Sequence, residues 1–233
     1  MHFCIMRNLV IAIDGYSSTG KSSISKIIAQ KLGLIHLDTG ALYRGITYFA
    51  LKNCLDENGE INFEKLFQEL PNIHLSFKNL NGEMVLFLDD QNINQEIRSQ
   101  EISNQVSNIA KQKEVRDYLL VIQRKMAEEG GIIMDGRDIG TVILPNADYK
   151  FFLTATPDER ARRRHLELQN MGMTADFESV KQNLLERDEI DSTREVSPLK
   201  QADDAILVDN TDMNKEETIA FILSKMKDFN KVI

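Results

Sequence analysis

The apolar positions of the chain occur either as short continuous runs or at helical spacing. Residues 9–13 form an unbroken apolar run. The apolar residues that follow recur at intervals of three and four up to Gly33: Ile24, Ile27, Ile28 and Leu32. A short apolar run predicts a buried strand, and the second spacing predicts an amphipathic helix. Another short run at 34–37 predicts the next strand, and this order of strand, helix and strand predicts a parallel sheet.

Three further short stretches that are mostly apolar, at 132–135, 149–153 and 205–208, have the length of strands. Together with the first two runs they predict an α/β fold with a five-stranded sheet. The length of 233 residues and the hydrophobic content of 42% suit one sizeable core, so we expect a single domain over residues 1–233.

The stretch between residues 55 and 98 has a different pattern. Apolar and polar residues alternate at 73–77, residues 84–88 form a second run that is apolar throughout, and Asn79-Leu80-Asn81-Gly82 lies between the two. This pattern predicts an antiparallel hairpin. A hairpin within a chain of alternating strands and helices is typical of an insertion, so we expect residues 41–105 to form a mobile lobe inserted into the domain.

Charge and cysteine content narrow the classes of function. The net charge of −8 repels polyanions, so we expect no nucleic acid as a partner. The two cysteines, Cys4 and Cys54, form no C-x-x-C motif, which favours a reduced, cytoplasmic protein in which both thiols only pack. No apolar run approaches the roughly 18 residues of a membrane span, so we expect no membrane partner. We interpret residues 1–6 as an extension without a role in the fold.

The first predicted strand runs directly into a glycine-bounded loop. The loop matches the pattern G-x-x-x-x-G-K-[ST] and reads Gly15-Tyr16-Ser17-Ser18-Thr19-Gly20-Lys21-Ser22-Ser23. In this pattern the glycines let backbone N–H groups surround a phosphate, the lysine reaches the outer phosphates, and the hydroxyl after it can coordinate Mg²⁺. A strand before the loop and a helix after it are the context that the motif requires.

Two further groups of charged residues follow predicted strands, at the edge where ligands of parallel sheets bind. Asp38, Thr39 and Arg44 follow the second strand, and the segment 135–140, Asp-Gly-Arg-Asp-Ile-Gly, follows the third. The alternatives are a helix cap at Asp38 and Thr39 and a glycine-rich turn with solvated charges at 135–140. Candidate magnesium ligands are Ser22 with Asp38 or Asp135, directly or through water. We interpret His36 as a core residue.

Arginines concentrate between residues 157 and 195. Thr156, Pro157 and Glu159 have the spacing of a capping box, which predicts a helix start. Arg160, Arg163 and Arg164 then lie on one face of that helix. A second group, Arg187 and Arg194 with acidic residues between them, is expected to follow the helix marked by Phe177, Val180 and Leu184. An arginine-rich face is usually only solvated, but two such groups in an acidic protein favour a lid over 157–195 that neutralises a transferring phosphate.

The detailed strings resemble the motifs of bacterial cytidylate kinases, and the resemblance covers nearly the whole chain. The strings that carry it are Ile13-Asp14-Gly15, Gly20-Lys21-Ser22-Ser23, Leu37-Asp38-Thr39-Gly40-Ala41-Leu42-Tyr43-Arg44, Glu96-Ile97-Arg98, Asp135-Gly136-Arg137-Asp138-Ile139-Gly140-Thr141-Val142 and Glu186-Arg187-Asp188. Tyr16 and Thr19 depart from the proline and the small residue usual in that family, and we expect both side chains to point away from the phosphates.

The resemblance implies a P-loop fold with strand order 2-3-1-4-5, ATP and Mg²⁺ as cofactors, and transfer of the γ-phosphate to CMP or dCMP by a monomer. It implies that the loop residues Gly15 to Ser23 hold the ATP phosphates, with Arg160 and Arg163 joining them when the lid closes. Arg44, Arg137 and Arg187 would hold the acceptor phosphate. Ser107, Arg116 and Asp138 would hold the cytosine. Thr39, Asp191 and Arg194 would complete the acceptor site, on the ribose side and at lid closure. Lys21, Arg137, Arg160 and Arg187 would be the catalytic residues.

Two other readings of the motifs are possible. The first is another small-acceptor kinase with the same loop, such as an adenylate, shikimate or dephospho-coenzyme A kinase, and the enlarged hairpin lobe argues against each. The second is a GTP-dependent switch. Such switches generally carry N-K-x-D, and the nearest string, Asn214-Lys215-Glu216-Glu217, ends in glutamate.

Overall fold

A computed structural model describes residues 9–80 and 82–226. The interpretation of residues 1–6 and of Cys4 therefore concerns residues outside the described part. The strands are β1 (Val10–Gly15), β2 (Ile35–Asp38), β3 (Leu75–Leu80), β4 (Glu83–Leu88), β5 (Gln91–Asn92), β6 (Ile132–Gly136), β7 (Tyr149–Thr154) and β8 (Ile206–Asp209). The α-helices are α1 (Lys21–Leu32), α2 (Thr39–Asn53), α3 (Phe63–Glu69), α4 (Gln100–Ala110), α5 (Lys113–Ala127), α6 (Pro157–Asn170), α7 (Phe177–Thr193) and α8 (Lys215–Ser224).

The main sheet has five strands in the order β2-β6-β1-β7-β8. Central strand β1 pairs in parallel with β6 on one side and with β7 on the other. Numbering only these five strands along the chain gives the order 2-3-1-4-5, so the predicted α/β fold and strand order are confirmed. The register aligns Asp14 with Gly136 and Gly15 with Leu153, which brings the loop after β1 and the segment after β6 to the same edge of the sheet.

One face of this sheet forms its hydrophobic core with helices α1 and α8. Ile11 and Ile13 of β1 are fully buried in this cluster. The helices contribute Ile24, Ile28, Ile219 and Ile222 to the same cluster. Full burial of each of these side chains stabilises the fold by about 1.5–3 kcal/mol. The helical spacing seen in the sequence thus corresponds to the face that α1 turns towards the sheet.

The chain divides into two compact units, and residues 38–128 form the second. Its core lies around α2, with Leu42 and Ile46 packed against the sheet β3-β4-β5 and the helices α4 and α5. The predicted hairpin is present as the antiparallel pair β3 and β4. Gly45 allows α2 to approach this sheet, because a Cβ there would lie 3.0 Å from Leu75 and Leu86 side-chain atoms.

This unit is larger than the lobe expected at 41–105. It extends through α5 because Val115 and Leu119, both fully buried, pack in the same cluster as Leu42. The short strand β5 was not predicted, since its two residues are polar and exposed and show no apolar alternation.

Helices α6 and α7 pack on each other through a small cluster of their own. It contains Ala161 and Leu168 from α6 and Val180 and Leu184 from α7. Arg187, Asp188 and Asp191 lie within α7, so the expectation that they follow that helix is wrong. Their side chains are therefore held on a continuous helix and not on a loop.

The predicted capping box at the start of α6 is also wrong. Pro157 is at the first turn as expected, but the Thr156 side chain makes no cap hydrogen bond. Glu159 instead binds the guanidinium groups of Arg162 and Arg163. A capping box is present at α8, between Asn214 and Glu217. The string that was compared with N-K-x-D is therefore a helix start.

Candidate functional site

The loop after β1 has the backbone form that a phosphate-binding loop requires. At Gly15 φ is +143°, and a Cβ would lie 2.0 Å from the Leu153 carbonyl oxygen, so only glycine fits beside β7. Gly20 also has positive φ, +86°, and directly precedes α1. The loop therefore ends at the N-terminus of a twelve-residue helix, where free N–H groups and the helix dipole favour an anion.

Lys21 lies inside this loop and is only 6% exposed. Its Nζ donates to the Tyr16 carbonyl at 2.5 Å and lies 3.5 Å from Thr19 Oγ1. Burial lowers the pKa of Lys21 to about 7, because the low-dielectric surroundings disfavour the charged amine. The lysine is thus held in place by other residues of its own loop.

This shift predicts proton uptake when a nucleotide binds. Near pH 8 the free amine is mostly neutral, whereas phosphate oxygens beside it favour the charged form. ADP binding should then take up close to one proton, and affinity should fall as pH rises above about 7. Calorimetry in two buffers of different ionisation enthalpy measures this uptake. Lys21→Arg, whose charge is permanent, should remove it, and equal enthalpies for the unaltered protein in both buffers would contradict the prediction.

Asp14, the residue before Gly15, joins the loop to the segment after β6. It is 4% exposed, and its two oxygens accept hydrogen bonds from the backbone N–H groups of Ile139 and Gly140, each at 2.7 Å. Burial raises the pKa of Asp14 to about 7, although these two hydrogen bonds oppose the shift. Residues 139–143 form one π-helical turn that the sequence did not predict. The role of Asp14 is therefore to fix this turn against β1.

Ser22 and Asp135 contact each other, and both side chains carry oxygen atoms of the type that can bind a metal ion. Ser22 Oγ donates to Asp135 Oδ2 at 2.7 Å, and Asp135 is 3% exposed. Hard oxygen ligands suit Mg²⁺, which is usually held by one or two protein groups together with substrate phosphates. In the described ranges no three His, Cys, Asp or Glu side chains are grouped as metal ligands. The other candidate, Asp38, caps α2 by accepting from the Ala41 N–H and binds Arg44 at 2.6 Å.

Two arginines of α6 contact the phosphate-binding loop. Arg160 is 4% exposed, donates to the Ser17 carbonyl at 3.3 Å, and binds Asp188 at 2.5 Å. Its guanidinium carbon also lies 5.1 Å from the centre of the Tyr16 ring. Arg163 Nη1 lies 3.5 Å from the Thr19 carbonyl. Arg164 binds Glu167 on its own helix instead. Helical spacing alone therefore could not show that Arg160 and Arg163 contact the loop and that Arg164 does not.

Asn210, a buried polar residue that no motif of the sequence indicates, also contacts this loop. Its Nδ2 donates to the Thr19 carbonyl at 2.9 Å, and its own carbonyl accepts from Arg163 at 2.7 Å. It directly follows β8, so its position at a strand end was the available signal. Asn210 and Arg163 together hold the second half of the loop.

A second ionic network lies after β6 and at the end of α7. Arg137 Nε donates to Asp191 at 2.9 Å, and Arg194 lies 3.5 Å from the same carboxylate. Arg194 also lies 3.8 Å from Asp138, which is 3% exposed. Burial acts against the charge of Arg137, but the carboxylates of Asp191, Asp188 and Asp135 together outweigh it and raise the pKa of the guanidinium. Arg187 is half-buried on the same helix.

The unit at 38–128 contains the remaining candidates. Thr39, Ser107 and Arg116 are each 5% exposed or less. Arg116 donates to the Ala110 carbonyl at 3.0 Å, and its guanidinium carbon lies 5.4 Å from the centre of the Tyr43 ring. Arg44 is fixed by Asp38, as described above. Donor groups of the type that bind a base or a phosphate are thus held in place within this unit.

The parallel sheet, the glycine-bounded loop at the end of β1, and the cations around that loop define a P-loop kinase. The family model described as cytidylate kinase matches residues 11–228 of the chain. The chain belongs to the cytidylate kinase family.

Individual relatives agree with this assignment. The chain is 47% identical over 221 residues to a cytidylate kinase of Clostridioides difficile, covering 95% of this chain and 99% of the relative. It is 45% identical to a cytidylate kinase of Flavobacterium johnsoniae, covering 97% and 100%. An uncharacterized protein from Eubacterium ventriosum has a similar fold, with a TM-score of 0.50 and 10% identity over 95% of this chain and 99% of that one. Across the described residues, no helix is long and apolar enough to cross a membrane.

Proposed function

We propose that this protein transfers the γ-phosphate of ATP to CMP or dCMP and releases ADP with CDP or dCDP. The observation that carries the proposal is the 47% identity to a named cytidylate kinase over 95% of the chain. The acceptor oxygen belongs to a phosphate that is already anionic near neutral pH, so the reaction needs no general base. The protein's part is to orient two substrates and to cancel the charge between them.

On the ATP side, the loop Gly15 to Ser23 binds the phosphates through its backbone N–H groups and Lys21. Arg160 and Arg163 are assigned to the same phosphates, which is supported by their contacts with the loop carbonyls of Ser17 and Thr19. The region 157–195 is assigned as the lid that excludes water from the γ-phosphate.

On the acceptor side, we assign the phosphate of CMP to Arg44, Arg137 and Arg187. The cytosine is assigned to Ser107, Arg116 and Asp138, and the rest of the acceptor to Thr39, Asp191 and Arg194. The inserted lobe over 41–105 is assigned to monophosphate binding. Ser107 and Arg116 within the unit 38–128, and Asp138 within the other unit, are each buried, which supports these assignments because desolvated polar groups make hydrogen-bond matching more selective.

Magnesium is assigned to Ser22 and Asp135. When bound, the ion supplies positive charge that neutralises the phosphates of ATP. The 2.7 Å contact between Ser22 Oγ and Asp135 Oδ2 supports the assignment, because it brings two oxygen ligands to the end of the phosphate-binding loop. The buried thiol of Cys54 supports a cytoplasmic location. We further propose a monomer that binds neither nucleic acid nor membranes, and the net charge of −8, which repels polyanions, supports the absence of nucleic-acid binding.

Arg187→Ala is expected to lower kcat by about 10²-fold and to change the KM for CMP by less than about threefold. The reason is that its charge is most useful once negative charge has built up between the two substrates. Steady-state kinetics with CMP varied at saturating ATP measures both constants. The control is Arg162→Ala, which removes an arginine of α6 whose side chain is 64% exposed. A change confined to KM would make Arg187 a binding residue only.

The proposed activity is tested by ADP release from ATP across CMP, dCMP, UMP, AMP, shikimate and dephospho-coenzyme A. Turnover should be highest with CMP or dCMP and should stop on addition of EDTA. Turnover with one of the other acceptors alone would support the corresponding small-acceptor kinase. GTP binding without transfer to any of the acceptors would support a switch.

A further inference from the structure

His36 contacts Asp135, one of the two residues assigned to magnesium, and it has no role in the proposed reaction as described so far. It lies on the edge strand β2, next to β6, and its Nε2 is 2.6 Å from Oδ1 of Asp135. The other oxygen of that carboxylate, Oδ2, accepts from Ser22 Oγ. Because a carboxylate accepts hydrogen bonds, Nε2 is the ring nitrogen that carries the hydrogen. The two oxygens of Asp135 therefore have different protein partners.

Asp135 needs such a restraint because two cations attract it. Lys21 and Arg137 both interact electrostatically with its carboxylate. Charge attraction has little directional preference, whereas a hydrogen bond at 2.6 Å fixes one oxygen along a defined direction. Residues that hold a metal ligand in this way typically change metal affinity 10- to 100-fold when they are replaced.

We propose that His36 is a positioning residue that holds Asp135 Oδ1, so that Oδ2 stays beside Ser22 Oγ as a ligand for Mg²⁺. This inference rests on the proposed function. Tyr, Phe or Leu at position 36 would satisfy a strand as well as histidine does, but none of them places an N–H donor at this carboxylate. The side chain of His36 is 17% exposed, so replacing it opens no closed core cavity.

Two amide variants separate the hydrogen bond from the size and polarity of the side chain. The amide nitrogen of His36→Gln extends to about the position of Nε2, whereas that of His36→Asn extends only to about the position of Nδ1. The measurement is the binding of Mn²⁺ to the protein with ADP, followed by electron paramagnetic resonance, with no acceptor present and no turnover. His74→Asn, at an exposed histidine of the other unit, is the control.

His36→Asn should weaken Mn²⁺ binding by about tenfold, while His36→Gln stays within about threefold of the unaltered protein. Equal Mn²⁺ affinity for His36→Asn and the unaltered protein would overturn the inference, as would an equal loss in both variants. Thermal unfolding in EDTA shows that each variant is folded, and His36→Leu provides the same comparison if His36→Asn does not fold. Failure of the unaltered protein to phosphorylate CMP would overturn the proposed function instead, because Mn²⁺ binding with ADP is measured without that reaction.

Discussion

Lys21→Ala is expected to lower kcat by at least about 10³-fold, since the amine is the one side-chain cation within the phosphate-binding loop itself. The loss should appear in kcat as well as in the affinity for ATP, because negative charge on the transferring phosphate is redistributed in the transition state. Lys21→Met is the matched variant that keeps the apolar stem and removes the amine. Lys31→Ala, at the exposed far end of α1, is the control.

The burial of Lys21 changes what this substitution should do to stability. Exposed lysines can usually be replaced within about 0.5 kcal/mol, but Lys21 is 6% exposed and donates to the Tyr16 carbonyl. Removing the amine deletes that hydrogen bond and also removes the cost of burying the amine, and the two effects have opposite signs. We therefore expect the melting temperature of Lys21→Met to stay within a few degrees of the unaltered protein. A folded Lys21→Met with full activity would exclude the loop from the mechanism.

The sheet could be predicted because its signals are local. Each of the five strands coincides with a short, mostly apolar stretch, whereas the strand order was implied by the resemblance to cytidylate kinases. Helix α1 was predictable in the same way, since its apolar residues face one side and Gly33, with φ of +67°, ends it. The hairpin also has a local pattern, whereas the two polar residues of β5 contain no such pattern.

Much of the site was beyond prediction because it depends on contacts between distant residues. Arg160 and Arg164 differ by one helical turn in sequence, yet only Arg160 lies against Ser17, 143 residues earlier. Asn210 reaches Thr19 across 191 residues. His36 lies in a short, otherwise apolar strand and is therefore interpreted as core from the sequence, and only the pairing of β2 with β6 shows its contact with Asp135. Residue types at strand ends could be selected from the sequence, but their partners could not.

The choice of base is the second large effect, and we expect the unaltered protein to prefer CMP over UMP by about 10⁴-fold in kcat/KM. Cytosine presents an unprotonated N3 and a C4 amino group, whereas uracil presents an N3–H and a C4 carbonyl. Asp138 can accept from the cytosine amino group, and Arg116 can donate to the O2 and N3 side. With uracil, the Asp138 carboxylate would face the C4 carbonyl, acceptor against acceptor, and the Arg116 guanidinium would face the N3–H, donor against donor. Each buried group left without a hydrogen-bond partner costs about 1–3 kcal/mol.

Two substitutions at Asp138 test this assignment, because they alter the hydrogen-bond pattern differently. Asp138→Ala removes the acceptor and should reduce kcat/KM for CMP, so that the preference over UMP falls to about 10²-fold or less. Asp138→Asn, which can donate to the uracil carbonyl, should lower the preference further. Asp203→Asn, at an exposed aspartate, should leave kcat/KM for both acceptors unchanged.

Both Asp138 variants also alter the ionic contact with Arg194 at 3.8 Å. A loss of kcat/KM that is common to CMP and UMP therefore reports on that contact, and only the ratio of the two kcat/KM values reports on the base. If UMP equals CMP in the unaltered protein, or if both variants keep its ratio, Asp138 does not read the cytosine.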